Sequence, residues 1–201
     1  MAECIERRHG LEPRLERLRT GVKADAALAI EIMASLAHVN LRGNPGDARF
    51  VEAVESVLKQ PLPLEPNTVS TAGHRLCWLG PDEWLLTTLH SGLAPLLGEL
   101  ERVLDGLDAA FNDLGGGQVL LRLRGDIRHE VLAAGCTLDL HPSSFAPGHC
   151  AQTGLAKAGV LLCPVEGEGG IDVVVRRSYS DYLVQWLAEV AGARGVAVSV
   201  S

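Results

Sequence analysis

The sequence predicts an α+β fold built from two similar halves, and three observations carry that prediction. A Leu-Arg-Gly triplet closes an apolar, strand-like run twice, at Leu41-Arg42-Gly43 and at Leu123-Arg124-Gly125. A Leu-x-Leu-x-Pro segment follows each, at Leu62-Pro-Leu-Glu-Pro66 and Leu138-Asp-Leu-His-Pro142. Each copy then runs into a pair of strand-like segments and an amphipathic helix. Internal repetition of this kind constrains architecture before any single motif does.

The elements of the first half follow in order. The run 36–43 is the first strand, and Asp47 is placed to cap the helix over 47–59, whose Phe50, Val51, Val54, Val57 and Leu58 recur at helical spacing. Leu76-Cys-Trp-Leu79 and Trp84-Leu-Leu-Thr-Thr-Leu89 flank Gly80-Pro-Asp-Glu83, where glycine and Pro-Asp chemistry reverses the chain into a hairpin. A helix over 90–104 and a closing strand over 109–114 complete the half.

The second half repeats the order. Strand 119–125 leads to a helix over 126–134 with Asp126 as its expected cap. Strands 159–163 and 171–176 form a hairpin around the glycine-rich loop 167–170. The helix over 178–191 carries Tyr182, Leu183, Trp186, Leu187 and Val190 at three- and four-residue steps, and strand 196–200 closes the chain. Each half therefore reads βαββαβ, a ferredoxin-like unit with two helices on one face of an antiparallel sheet. The expected organisation is an N-terminal arm over 1–21 and halves over 22–114 and 115–201, parted near Gly115-Gly116-Gly117.

One face of each such sheet is left bare, to be covered by the other half or by a partner. The composition agrees: 47% of residues are hydrophobic and only 4% aromatic, so the core is aliphatic and apolar surface is best hidden against another chain. A formal charge of -7 argues against nucleic acid and anionic membranes as partners. The arm alternates Arg7, Arg8, Arg14, Arg17, Arg19 and Lys23 with Glu3, Glu6, Glu12 and Glu16, the pattern of a solvated helix or of an arm lying on an acidic partner. Five cysteines, at 4, 77, 136, 150 and 163, fit a reducing compartment better than a disulfide framework. The first 20 residues have no apolar core of a leader, so a cytoplasmic location is expected.

Candidate chemistry is thin. Cys136, His141, His149, Cys150 and Cys163 are zinc-type donors, but adjacent His149 and Cys150 diverge in a strand and no C-x-x-C pair occurs; buried thiols and loop histidines are the expected reading. Gly115-Gly116-Gly117 precedes a strand where a phosphate cradle needs a helix N-terminus. Ser143-Ser144 beside His141 is the nearest approach to a nucleophile and base, and Asp82-Glu83 is the nearest carboxylate pair; both sit in turns. Trp78, Trp84 and Trp186 are expected in the core. Arg176 and Arg177 with Tyr179 are the best candidates for a partner contact, since guanidinium groups pair bidentately with carboxylates.

Leu79-Gly-Pro-Asp-Glu-Trp-Leu-Leu86, Leu121-Arg-Leu-Arg-Gly125, Leu138-Asp-Leu-His-Pro142 and Arg176-Arg-Ser-Tyr-Ser-Asp-Tyr-Leu183 with Trp186-Leu187 together resemble the gamma subunit of heterotetrameric sarcosine oxidase, from about Val22 onward. That resemblance implies a fold like the first two domains of the glycine-cleavage T-protein, a folate-binding-domain-like pair of sheets. It implies a complex that oxidatively demethylates sarcosine to glycine with O2 and tetrahydrofolate, giving H2O2 and 5,10-methylenetetrahydrofolate. It implies alpha, beta and delta partner subunits that carry FAD, FMN, NAD, zinc and the folate site, and a gamma chain with no cofactor, metal or catalytic residue of its own. The chain ends where a T-protein begins its third domain, which disfavours stand-alone aminomethyl transfer. Pro147-Gly-His-Cys-Ala-Gln-Thr153 departs from the Lys-Gly-Cys-Tyr-x-Gly-Gln-Glu motif of iron-sulfur-assembly relatives. Two other readings stand beside this one: a stand-alone folate-binding protein that uses the groove between its halves, and a homodimer without a flavoenzyme partner.

Overall fold

Period-2 burial along the strands and helical burial along the intervening segments sort the chain into two sheets, each with its own pair of helices. The computed structural model describes residues 26–167 and 169–201; the sequence-predicted arm over 1–21 lies outside them. In chain order the elements are β1 (Leu28–Ile32), β2 (Leu36–Gly43), α1 (Ala48–Leu58), β3 (Val69–Ser70), β4 (Arg75–Gly80), β5 (Glu83–Leu89), α2 (Leu93–Leu104), β6 (Ala109–Asp113), β7 (Gln118–Arg124), α3 (Arg128–Ala133), β8 (Ala151–Leu155), β9 (Ala158–Pro164), β10 (Ile171–Arg176), α4 (Arg177–Ala191) and β11 (Val196–Val200).

The first sheet has the order β3-β4-β5-β2-β6 and is antiparallel throughout. With the two-residue β3 set aside, this is the ferredoxin-like βαββαβ arrangement predicted from the repeat. Asp47 caps α1 by accepting from the Arg49 amide. The β4–β5 hairpin turns at Pro81-Asp82, and Arg42 on β2 holds that turn through Asp82 at 2.8 Å and Glu83 at 3.1 Å. The predicted extended piece over 62–66 lays Leu62 into the core and offers the Pro63 carbonyl to Trp84 Nε1 at 2.7 Å. Val39, Leu41, Leu76, Trp84 and Leu86 from the sheet meet Phe50, Val54, Leu96 and Leu100 from α1 and α2. The Trp84 and Phe50 rings stack tilted, 5.8 Å apart.

The second sheet has the order β11-β1-β7-β10-β9-β8. Its β7, β9, β10 and β11 repeat the ferredoxin-like set, but a strand from the front of the chain is inserted: β1 runs antiparallel to β7 and parallel to β11. Leu28, Ile30 and Ile32 of β1 enter the core with Leu121, Leu123, Val173, Leu183 and Leu187, under α3 and α4. The periodicity reading had no strand here, nor at β3 and β8. One cap also differs from expectation. The helix α3 starts at Arg128 with Ile127 at its cap position and no side-chain cap, because the positive-φ turn at Gly125 uses the preceding residues and leaves Asp126 exposed.

The two Leu-Arg-Gly triplets end β2 and β7, and their glycines serve different contacts. A Cβ on Gly43 would stand 2.3 Å from the Phe50 ring, while one on Gly125 (φ +100°) would stand 2.2 Å from the Ala27 carbonyl oxygen, at the edge of the inserted strand. Backbone cannot yield as a side chain can. Gly125→Ala is therefore expected to cost about 1–3 kcal/mol from its backbone conformation alone, plus the clash. Hydrogen exchange locates the damage: amide protection in β1 should collapse while β4 and β5 keep theirs, and uniform protection would contradict this role.

Candidate functional site

Alternation along the strands decides what each sheet does with its second face. In the first sheet Leu76, Trp84 and Leu86 point at the helices, so Arg75, Cys77, Leu85 and Thr87 point away from them. In the second, Leu121, Val173 and Leu162 point at the helices, and Leu120, Arg122, Asp172, Val174, Leu161 and Cys163 point away. These two outward faces meet. Cys77 and Leu85 pack with Leu120, Cys150, Leu161, Cys163 and Val174 in a third apolar cluster, so the layers run helices, sheet, sheet, helices. Each bare face is covered by the other.

Polar groups in this middle layer are matched across it. Asp172, fully buried, accepts from Arg122 Nε at 2.7 Å and Nη2 at 3.0 Å on its own sheet, and from Arg75 Nη1 on the opposite one. His38 Nδ1 lies 3.2 Å from Thr87 Oγ1; its burial, with Arg75 nearby, pushes its pKa from 6.5 down to about 4. The seam is also stitched by backbone: the Val69 amide donates to Gly148 O and the Cys150 amide to Asn67 O.

At one end the layer opens into a cleft of about 500 Å³. Its walls are Leu85, Leu161 and Val174 from the facing sheets, and its rim carries Asn40, Gln118 and Arg176. Asn40 is held by Glu83 at 2.7 Å, whereas Gln118 Oε1 is buried and has no donor among the described residues.

The sequence-predicted contact residues fall beside this opening. Arg176 ends β10 on the cleft rim, the Arg177 amide begins α4 by donating to Gly117 O at 3.0 Å, and Tyr179 stands 43% exposed in the first turn of α4. The Arg177 guanidinium lies against Gly116, in the turn between the halves. The zinc-type set does not assemble as spaced in sequence. Cys150 and Cys163 come together with Cys77, Cys136 lies 3.6 Å from Thr153 Oγ1 in the α3 core, and His141 and His149 are exposed. Among the described residues no group of three or more His, Cys, Asp or Glu side chains is placed to hold a metal ion.

Ser143 Oγ does reach His141 Nδ1, at 2.7 Å, but in an exposed loop where Asp139 accepts from the His141 backbone amide. A base oriented for nucleophile activation would need its ring held by that carboxylate. The Gly115-Gly116-Gly117 turn feeds strand β7, so it lacks the helix N-terminus that cradles a dinucleotide phosphate. Trp84 is core; Trp78 and Trp186 are half-buried against the two helix-side cores. Cys77 was the residue that spacing could not find, because its thiol neighbours lie more than seventy positions away.

Two ferredoxin-like halves packed sheet to sheet make this a two-unit α+β fold. Glycine cleavage system aminomethyltransferase T from Bartonella henselae shares that fold with a TM-score of 0.63 at 17% identity, over 91% of this chain and 50% of the transferase. A model of the sarcosine oxidase gamma subunit family matches residues 42–193, and the chain belongs to that family. The sarcosine oxidase subunit gamma of an Arthrobacter species is 34% identical over 186 residues, 91% of this chain and 89% of the relative. That of Corynebacterium sp. strain P-1 is 32% identical over 185 residues, with the same coverage. A chain in the heterotetrameric sarcosine oxidase from Corynebacterium sp. U-96, solved in complex with pyrrole 2-carboxylate, superposes with a TM-score of 0.82 at 28% identity, over 92% of this chain and 94% of that one.

Proposed function

We propose that this chain is the structural gamma subunit of a heterotetrameric sarcosine oxidase and supplies no catalytic group of its own. The observation that carries this reading is the likeness, over nine-tenths of the chain, to gamma subunits and to a chain of the Corynebacterium heterotetramer. The way the sheets are spent supports it: both bare faces are consumed within the chain, so recognition falls to the outer surface and the cleft rim. In this reading the chain packs against alpha and beta subunits, with delta completing the assembly. FAD, FMN, NAD, zinc and tetrahydrofolate belong to those partners. The assembly demethylates sarcosine to glycine, reduces O2 to H2O2 and passes the one-carbon unit to tetrahydrofolate, in the cytoplasm. Among the described residues no helix is long and apolar enough to cross a membrane.

Arg176, Arg177 and Tyr179 are the proposed contact. Arg176 stands on the cleft rim, the Arg177 guanidinium lies against the Gly116 turn, and Tyr179 is exposed in the first turn of α4. Arginine and tyrosine are the side chains that most often dominate such contacts. The chain tagged in its native host should bring down larger subunits, flavin absorbance and sarcosine-dependent peroxide formation. The double variant Arg176→Glu, Arg177→Glu should lower recovery of those partners by about tenfold or more, with the far-UV dichroism of the chain unchanged. A colourless, partnerless protein would overturn the subunit reading, and titration with tetrahydrofolate would then test the stand-alone folate binder. The named cleft walls are aliphatic, without the aromatic face that a pterin ring commonly stacks on.

A further inference from the structure

Three sulfurs from distant parts of the chain meet in the layer between the sheets. Cys77 Sγ, on β4 of the first sheet, lies 3.5 Å from Cys163 Sγ, on β9 of the second. Cys150, just before β8, joins them, its sulfur 3.5 Å from Thr68 O and 3.4 Å from Trp78 O. All three are free thiols, and each is 1% exposed. A single buried cysteine is ordinarily a small hydrophobe. Three that converge across a seam are differently placed, because a bond between two of them would join the halves. The Cys77 and Cys163 sulfurs need approach by only about 1.5 Å to reach disulfide length.

Access and reactivity follow from the same packing. Leu85, paired with Cys77 in the β4–β5 register, and Leu161, two residues before Cys163 on one face of β9, both line the open cleft. The cleft therefore ends on side chains that neighbour the thiols, and a small uncharged oxidant entering it is brought close to them. The S–H groups of Cys163 and Cys77 can donate to Cys150, which lowers its pKa below the ordinary thiol range, while the same coupling and burial raise those of Cys77 and Cys163. Ionisation of Cys150 gives up its S–H contacts to the Thr68 and Trp78 carbonyls, after which the two neighbouring S–H groups hold it as the thiolate, the nucleophilic form.

We propose that Cys77, Cys150 and Cys163 form a site of oxidation by a hydroperoxide, ending in a Cys77–Cys163 disulfide that ties the two sheets together. The Cys150 thiolate attacks one peroxide oxygen, the O–O bond breaks, and the other oxygen leaves as water or an alcohol on taking up a proton. Cys150 is then a sulfenic acid. The Cys163 thiol attacks its sulfur, the S–O bond breaks, and hydroxide leaves as water with the proton of Cys163. Cys77 attacks Cys163 in this mixed disulfide and displaces Cys150, which regains a proton. In sum two thiols lose two electrons and two protons, and the peroxide is reduced by them. The source of the oxidant rests on the oxidase reading above; the reactivity of the thiols does not, and added peroxide tests it separately.

The full chain, purified with whatever subunits accompany it, is treated with stoichiometric hydrogen peroxide. It is then alkylated in denaturant without reductant and mapped by mass spectrometry. The expected product is a linked pair of peptides holding Cys77 and Cys163, released by dithiothreitol, with two of the five cysteines lost to alkylation. Cys136→Ser should retain the link. Cys150→Ser should slow its formation about tenfold or more, and Cys150→Ala provides the same test if serine is not tolerated at the buried site. Five cysteines still alkylated, sulfinic or sulfonic acids without a link, or a link through Cys4 or Cys136 would each overturn the proposal.

Discussion

Asp172→Ala is expected to cost about 3–5 kcal/mol, a large part of the 5–15 kcal/mol that holds a typical domain folded. The carboxylate is fully buried between Arg75 and Arg122, whose side chains are only 19% and 17% exposed. Removing it leaves two guanidinium groups facing each other across the middle layer, with little water to screen them. The penalty comes from those orphaned charges more than from the lost attraction, since a buried ion pair roughly balances its own desolvation. A sharper expectation follows. Replacing all three together, Arg75→Met, Arg122→Leu and Asp172→Val, should recover most of the loss. Urea unfolding of the single and triple variants measures both; a triple variant as unstable as Asp172→Ala would show that the bridge itself, not the balance of charge, holds the seam.

Asp172 also marks where sequence reading stopped. The β4–β5 hairpin was legible because Gly80-Pro81-Asp82 reverses the chain with local chemistry, and α1, α2 and α4 were legible because their apolar residues recur at helical steps. The repeat gave the order of each half. The strand β1 was missed even though Leu28, Ile30 and Ile32 alternate with half-buried positions. Five residues of period 2 say little until Arg124 and Val196–Val200 are known to lie on either side. Edge strands β3 and β8 are weaker still: two residues in one case, Ala-Gln-Thr-Gly-Leu in the other.

The middle layer was legible only in part. The bare face of each sheet follows from βαββαβ order, but nothing local reveals that Arg75 meets Asp172 or that Cys77 meets Cys163. Those pairs depend on how one sheet is laid over the other. Strand alternation does place Cys77 opposite the helix-facing Leu76, and Asp172 opposite Val173, so the chain carried a signal for which residues face the seam. It carried none for their partners. Arg176, Arg177 and Tyr179 were singled out by residue type alone, and the fold sets them together because β10 runs into α4 with no intervening loop.

Acid should weaken the same seam through His38. Burial disfavours its imidazolium form and the nearby Arg75 repels it, so its pKa in the folded chain falls from 6.5 to about 4. Between those values the unfolded chain binds the proton and the folded chain does not. Stability from His38 is thus fully present above about pH 6.5, declines as pH falls toward 4, and reaches a loss of roughly 3 kcal/mol once the window is crossed. His129, lowered by partial burial and then Arg128, acts with the same sign, but it is only partly buried and its contribution is screened. The carboxyls of Asp47, Glu130 and Asp139 are held low by exposed hydrogen bonds and titrate below the upper part of this window. Urea midpoints at pH 7.5, 6 and 5 should therefore fall for the native chain and stay nearly level for His38→Asn, which keeps a polar group for Thr87. Parallel decline in both would assign the acid sensitivity elsewhere. Because Arg75 is one of the two causes, Arg75→Met should raise the His38 pKa, so that the decline still begins near pH 6.5 but ends at a higher pH and is smaller, which links acid sensitivity and the Asp172 bridge through one guanidinium.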